Sequence, residues 1–307
     1  MNQSVGLVLG SNRNQAIILF REEEQILSIP GKWRRESGGI RPLVPGDRVS
    51  LTEKSGIFTI NTRLDRGNEF TRKLPGKKPI PQTSAVNIDR IVIVVSVVEP
   101  ATPLGFIDRM LVAAAIGGVP PVLVLNKIDL DVNSRSLELI DNYRMAVETI
   151  LPTCARDGMG VGKISTMIEG KITLIAGSSG VGKSTLINSI DPHLDLKTGL
   201  VSGVTGKGKH ITSFSRLHRV RDSGWVIDTP GLRECAPWGM TESNLQIAFP
   251  EVVRLAGYCH FRNCLHHGED GCAVEAAAGT ADLPAARYAS YLKLLREVMP
   301  PGYWDIS

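Results

Sequence analysis

Four short segments of the chain carry residue types with definite chemistry. Gly177-Ser178-Ser179-Gly180-Val181-Gly182-Lys183-Ser184 has the spacing of a phosphate-binding loop. Its glycines let successive backbone N–H groups turn toward a β-phosphate, Lys183 bridges β and γ oxygens, the Ser184 hydroxyl ligates Mg²⁺, and Thr185 continues the phosphate-contacting run. A Gly-rich turn with a solvated lysine is the alternative. The apolar stretch Ile172–Ala176 before the loop and the helical stretch after it supply the context such a turn would lack.

Asn126-Lys127-Ile128-Asp129 names the base. The Asp129 carboxylate can accept from both N1–H and the exocyclic amine of guanine, whereas adenine offers no such donor pair. Charge-assisted hydrogen bonds contribute about 1.5–3 kcal/mol each, enough to discriminate strongly. Standing alone, the tetrapeptide could be a helix N-cap; beside a phosphate loop it reads as the base-recognition motif. Asp228-Thr229-Pro230-Gly231 closes an apolar run, so that Asp228 can hold Mg²⁺ through water and the Gly231 N–H can meet a γ-phosphate; a plain D-x-P-G turn is the other reading. The base-reading motif precedes the phosphate loop, the reverse of the usual order in G proteins, which predicts a circularly permuted fold. Thr153-Cys154-Ala155 then falls where the loop supporting guanine belongs. Cys154 stands there in place of serine, and only the backbone is needed.

The fourth segment is Cys259, Cys264, His266 and Cys272, spaced C-x4-C-x-H-x5-C. These are four ligands for one tetrahedral Zn²⁺ with no open position, which makes the site structural. His267 is a second candidate for the histidine ligand. Inert core thiols are the alternative, and a loop rich in Gly, Asp and Asn makes a poor core. Cys235 stands apart and reads as buried.

Positioning these segments requires three textures of chain. Short apolar runs with turn signals (Val5–Leu9, Gln15–Phe20, Gln25–Ile29, Asp47–Leu51, Gly56–Ile60) predict a small all-β barrel. The run 74–81, with its prolines and lysine pair, reads as a linker. Unalternating strands Ile91–Val98, Val122–Leu125 and Ile172–Ala176, separated by helical stretches, predict a parallel α/β sheet buried on both faces. Helical segments around the cysteines and over Leu283–Val298 predict a small helical metal-binding unit. The expected boundaries are 1–80 for the barrel, 81–243 for the α/β domain and 244–307 for the helical domain.

Composition sets bounds on this reading. The 307-residue chain, 42% hydrophobic and 21% charged, is long enough for several cored domains without disulfides. An odd count of five cysteines fits a metal site in a reducing compartment. The uncharged stretch Met110–Leu125 is interrupted by Gly and Pro and too short to span a bilayer, and no basic region precedes an apolar core at the N-terminus. A cytoplasmic protein without membrane contact is expected. Residues 1–80 carry 14 Lys and Arg against 8 Asp and Glu, a basic face suited to phosphate backbone or simply solvated. Nothing suggests an association surface, so a monomer is the default.

Taken together, the barrel, Asn87-Ile88-Asp89-Arg90, Ile107-Asp108-Arg109, the permuted nucleotide motifs and the cysteine cluster resemble the ribosome small-subunit-dependent GTPase A family, the RsgA/YjeQ type of circularly permuted GTPases, over nearly the whole chain. The resemblance implies an OB-fold barrel, a permuted P-loop GTPase domain and a helical zinc domain. It also implies that GTP is hydrolysed to GDP with stimulation by the 30S ribosomal subunit, late in the maturation of that particle, through contact with its 16S rRNA. It favours His266 over His267 as zinc ligand. The position after Gly231, which carries a water-orienting Gln in Ras-type enzymes, is Leu232; the resemblance points instead to His210, which either orients water or contacts RNA. Ile211 replaces a family threonine, leaving Thr212 as the candidate second Mg²⁺ ligand. Lys32, Trp33, Arg34 and Arg35 form a basic-aromatic loop that can stack a base and grip phosphates, or else a solvated loop with Trp33 partly buried. A phosphotransferase acting on a small metabolite, and a passive RNA-binding module, are the competing classes. The guanine-reading motif speaks against the first, and turnover dependent on Lys183 would remove the second.

Overall fold

The computed structural model of the chain describes residues 4–37, 40–73, 80–196, 215–221, 223–228 and 236–299. Strands β1 (Ser4–Ser11), β2 (Gln15–Phe20), β3 (Glu23–Ser28), β4 (Arg48–Lys54) and β5 (Ile57–Arg63) form an antiparallel sheet in the order β3-β2-β1-β4-β5. β3 also approaches β5, curling the sheet into a barrel. The strand alternates: Ala16, Ile18 and Phe20 of β2 point into the barrel with Val8, Val49, Leu51 and Ile60, while Ile17 and Leu19 on the other face pack against the α/β layer. The segment after β3, expected as a loop, is a short helix, α1 (Gly31–Glu36), beginning directly after Pro30.

Strands β6 (Glu69–Lys73) and β7 (Pro81–Val86) pair antiparallel on either side of the expected linker, and Phe70 and Ala85 enter the core of the α/β layer.

The central sheet runs β10-β9-β8-β11-β13-β12. Its strands are β8 (Arg90–Ser96), β9 (Pro121–Asn126), β10 (Thr149–Thr153), β11 (Ile172–Ala176), β12 (Arg216–Val220) and β13 (Gly224–Asp228), all parallel except β12 at the edge. Helices cover both faces, as unalternating strands require. α2 (Leu104–Gly117) and α3 (Arg135–Tyr143) bury Ile107, Met110, Leu139 and Tyr143 on one side; α4 (Val161–Ile168) and α5 (Lys183–Ile190) bury Ile164, Leu186 and Ile187 on the other. The uncharged stretch is therefore the end of α2, a turn and β9. Gly118 closes α2 at φ +64°, a conformation glycine adopts without strain. Among the described residues no helix is long and apolar enough to cross a membrane.

Helices α6 (Glu242–Ile247), α7 (Pro250–Ala256), α8 (Ala273–Ala277) and α9 (Ala285–Val298) share a core with Val112 of α2. A buried ionic group fastens them there. Arg287 donates from Nε to Glu251 at 2.6 Å and from Nη1 to Asp108 of α2, and its guanidinium lies 4.0 Å from the Phe249 ring centroid. Ser290 also donates to Asp108. Burial pushes the Asp108 carboxyl up, against the pull of Arg287. Nearer the surface, Arg109 of α2 pairs with Glu297 of α9, Nη1 to Oε2 2.8 Å.

Candidate functional site

The sheet aligns the chemical segments before any side chain acts. Asn126 ends β9, opposite Thr153 of β10 and Ser96 of β8; Ala176 ends β11, and Asp228 ends β13 opposite Ile175. All therefore lie at the carboxyl edge of the parallel strands, where open α/β sheets bind ligands.

On the phosphate side, the loop runs from Gly177 through Ser178, Ser179, Gly180 and Val181 to Gly182, which caps α5 at φ +98°. A Cβ on Gly182 would stand 2.3 Å from Asn126 Nδ2, and one on Gly177 2.3 Å from the Val94 carbonyl oxygen, so the close turn needs glycine at both places. Lys183, Ser184 and Thr185 open α5, half-buried, beneath the loop. The Lys183 ammonium donates to the carbonyls of Gly177 and Ser178 at 2.8 and 2.9 Å. Such a loop offers N–H groups and a cation to an anion.

On the base side, Asn126 is 2% exposed and ties three segments together: Nδ2 donates to Val181 of the phosphate loop at 2.8 Å, and Oδ1 accepts from the Ala155 N–H at 3.0 Å. Ser189 of α5 donates to the Ala155 carbonyl, fixing that loop from below. Lys127, at φ +66°, donates through Nζ to the Glu99 carbonyl at 2.7 Å. Asp129 sits in the 3-10 turn Ile128–Leu130 with Cys154 and Asp157 close by. Burial pushes the Cys154 thiol up, and its hydrogen bond to Asp129 adds to that. The sequence reading missed Arg156, whose Nη2 stands 3.1 Å from Asp129 Oδ2 and whose Nε donates to Asp157 at 3.0 Å. Its sequence position carried no signal, because only the fold brings it to Asp129.

His210, Thr212, Gly231, Leu232 and Cys235 lie outside the described residues, and Asp228 is the last described residue of its motif.

The cysteine cluster assembles as a donor set. The ligand atoms of Cys259, Cys264, His266 and Cys272 all lie within 4.8 Å of one another. His266 Nδ1 is 3.5 Å from the Cys259 sulfur and 3.7 Å from that of Cys272, against about 3.5 Å for a sulfur and a nitrogen on one tetrahedral zinc. His266 therefore joins the thiols through Nδ1, at φ +67°, leaving buried Nε2 without a partner among the described residues. His267 instead gives its backbone N–H to Glu269 at 2.6 Å, as does Leu265, which braces the turn. Burial pushes the Cys264 and Cys272 thiols up, so holding them as thiolates takes a cation. Three cysteines and a histidine in this geometry fit zinc.

On the barrel, Lys32, Arg34 and Arg35 of α1 are exposed while Trp33 is half-buried against the barrel core. Arg34 and Arg35, with Arg13 and Asn14, line a cleft of about 400 Å³.

Residues 63–238 match the family described as RsgA GTPase. Over 276 residues the chain is 38% identical to a small ribosomal subunit biogenesis GTPase RsgA 2 of Bacteroides thetaiotaomicron, spanning 88% of each chain. With the small ribosomal subunit biogenesis GTPase RsgA of Gemmatimonas aurantiaca it shares 33% over 275 residues, 89% of this chain and 90% of that one. Among solved structures it resembles YjeQ from Thermotoga maritima (TM-score 0.74, 30% identity, 96% and 98% of the two chains). It also resembles YloQ, a circularly permuted GTPase (TM-score 0.70, 26% identity, 97% and 95%).

Proposed function

The chain belongs to the RsgA family of circularly permuted GTPases and is a GTP-hydrolysing enzyme, and on that premise we propose that it binds the small (30S) ribosomal subunit, assists its late maturation and leaves the particle when GTP becomes GDP and phosphate. The observation that carries the nucleotide part of this reading is the Asn126 side chain, which joins the base-reading turn to the phosphate loop and to Ala155; the particle part rests on the family. One ligand with a guanine at one end and phosphates at the other spans that arrangement.

In this proposal Asp129 accepts from guanine, the Cys154–Ala155 backbone supports the base, and Lys127 lines it. The N–H groups of Gly177 through Lys183 hold the β-phosphate. Lys183 leaves the carbonyls of Gly177 and Ser178 to reach the β and γ oxygens, which are stronger partners for an ammonium. Ser184 and Asp228 hold Mg²⁺, which neutralises charge on the phosphates when bound. Thr212 as second Mg²⁺ ligand, the Gly231 N–H at the γ-phosphate and His210 orienting water complete the assignment, all on residues outside those described. Cys259, Cys264, His266 and Cys272 hold one structural Zn²⁺. The basic residues of α1, with Trp33, contact 16S rRNA, and the protein works as a cytoplasmic monomer.

The direct test of the particle assignment is sedimentation with purified 30S subunits. Tighter binding with a non-hydrolysable GTP analogue than with GDP is expected; equal binding in the two states would remove release on hydrolysis from the account.

A further inference from the structure

Asp129 has to turn both carboxylate oxygens toward the two N–H groups of guanine, and Oδ2 already accepts from the Arg156 guanidinium at 3.1 Å, which puts that side chain at the edge where the base must dock. Arg156 is 72% exposed, and a second carboxylate anchors it: its Nε donates to Asp157 at 3.0 Å. The guanidinium thus bridges Asp129, the base reader of the proposed function, and Asp157. We propose that Arg156 is an affinity-setting residue that competes with guanine for Asp129, so that a nucleotide enters only when the Arg156–Asp129 pair opens. The inference rests on Asp129 reading guanine.

Three features support competition rather than bracing. Asp129 is already positioned without Arg156, because it sits in a 3-10 turn whose Leu130 N–H donates to the Lys127 carbonyl at 3.0 Å, and the motif is tied to its neighbours through Asn126 and Lys127. The anchoring Asp157 keeps the guanidinium at the rim after it lets go, so opening takes a swing of the side chain and no movement of the backbone. Finally, the Arg156 side chain is 72% exposed against 19% for Asp129, so water competes for the guanidinium and the pair can exchange, as a gate must.

Apparent affinity is the intrinsic affinity multiplied by the fraction of protein in the open form. A pair closed for half to four-fifths of the time lowers it about two- to five-fold. The test is the dissociation constant of a fluorescent GDP for wild type, Arg156→Ala and Arg156→Lys, at low and high ionic strength, with thermal melting of each protein. Arg156→Ala is expected to bind GDP about two- to five-fold more tightly at low salt, chiefly through faster association, with an unchanged melting temperature; Arg156→Lys should fall between. The difference should shrink at high salt, where the exposed pair is screened. Weaker or unchanged binding by Arg156→Ala at every salt concentration would overturn the proposal while leaving Asp129 as the guanine reader. Failure of wild type to prefer GDP over ADP would remove that reading and this one together.

Discussion

At the scale of single residues, the nucleotide site depends on one buried amide. Asn126 reaches Val181, 55 positions along the chain, and Ala155, 29 positions along, and so hydrogen-bonds both loops. Replacing it with alanine leaves the Val181 carbonyl and the Ala155 N–H buried and unpaired. Asn126→Ala should therefore lower the unfolding free energy by about 1–3 kcal/mol, read from urea melts, and weaken GDP and GTP alike. Selective loss of one nucleotide would show that Asn126 contacts the phosphates instead. The importance of Asn126 was legible from the tetrapeptide it opens. Its role as a strut was not, because both partners are backbone groups brought in by other strands. For the same reason Arg156 was passed over: an exposed arginine after a supporting loop signals nothing until its distance to Asp129 is known.

Among the elements, α2 has two tasks. One face packs on the central sheet through Ile107 and Met110, and the other receives the helical unit through Val112, Asp108 and Arg109. Asp108, Glu251 and Arg287 are each about 1% exposed or less, so removing the cation leaves two buried carboxylates facing each other. Arg287→Met should cost about 3–5 kcal/mol, measured by chemical denaturation, whereas a triple variant that also makes Asp108 and Glu251 apolar should recover much of the loss. A small effect of Arg287→Met alone would mean that water reaches the cluster. The helical texture near the C-terminus was readable from sequence, but Arg287 lies 179 positions from Asp108, and no local pattern announces that contact. Two further elements escaped the reading on local grounds. α1 carries a tryptophan and charged residues without an apolar face to mark a helix, and β6 and β7 are joined only through a pairing that spans the expected linker.

Across the whole molecule, the three textures seen in the sequence became a curled antiparallel sheet, a parallel α/β layer and a helical unit around a cysteine–histidine group. They were legible because each depends on periodicity and short motifs. How they touch was not. The barrel meets the α/β layer through Leu7, Leu9, Ile17 and Leu19, which pack in its core, and through Glu24 and Glu22, paired with Arg216 and Arg219 of β12 at 2.7 Å. β12 pairs with β13, and Arg216 lies opposite Asp228, so the barrel's ion pairs stand one strand away from the end of β13. In the proposed function a particle gripped by the barrel acts close to Asp228, and turnover should respond to that particle.

Steady-state GTP hydrolysis by the purified protein, with and without 30S subunits, for wild type and Lys183→Ala, tests this most directly. Slow turnover by wild type alone, strong stimulation by 30S subunits and no turnover by Lys183→Ala under either condition is the predicted result. Equal rates with and without 30S subunits, or a Lys183→Ala protein as active as wild type, would contradict it.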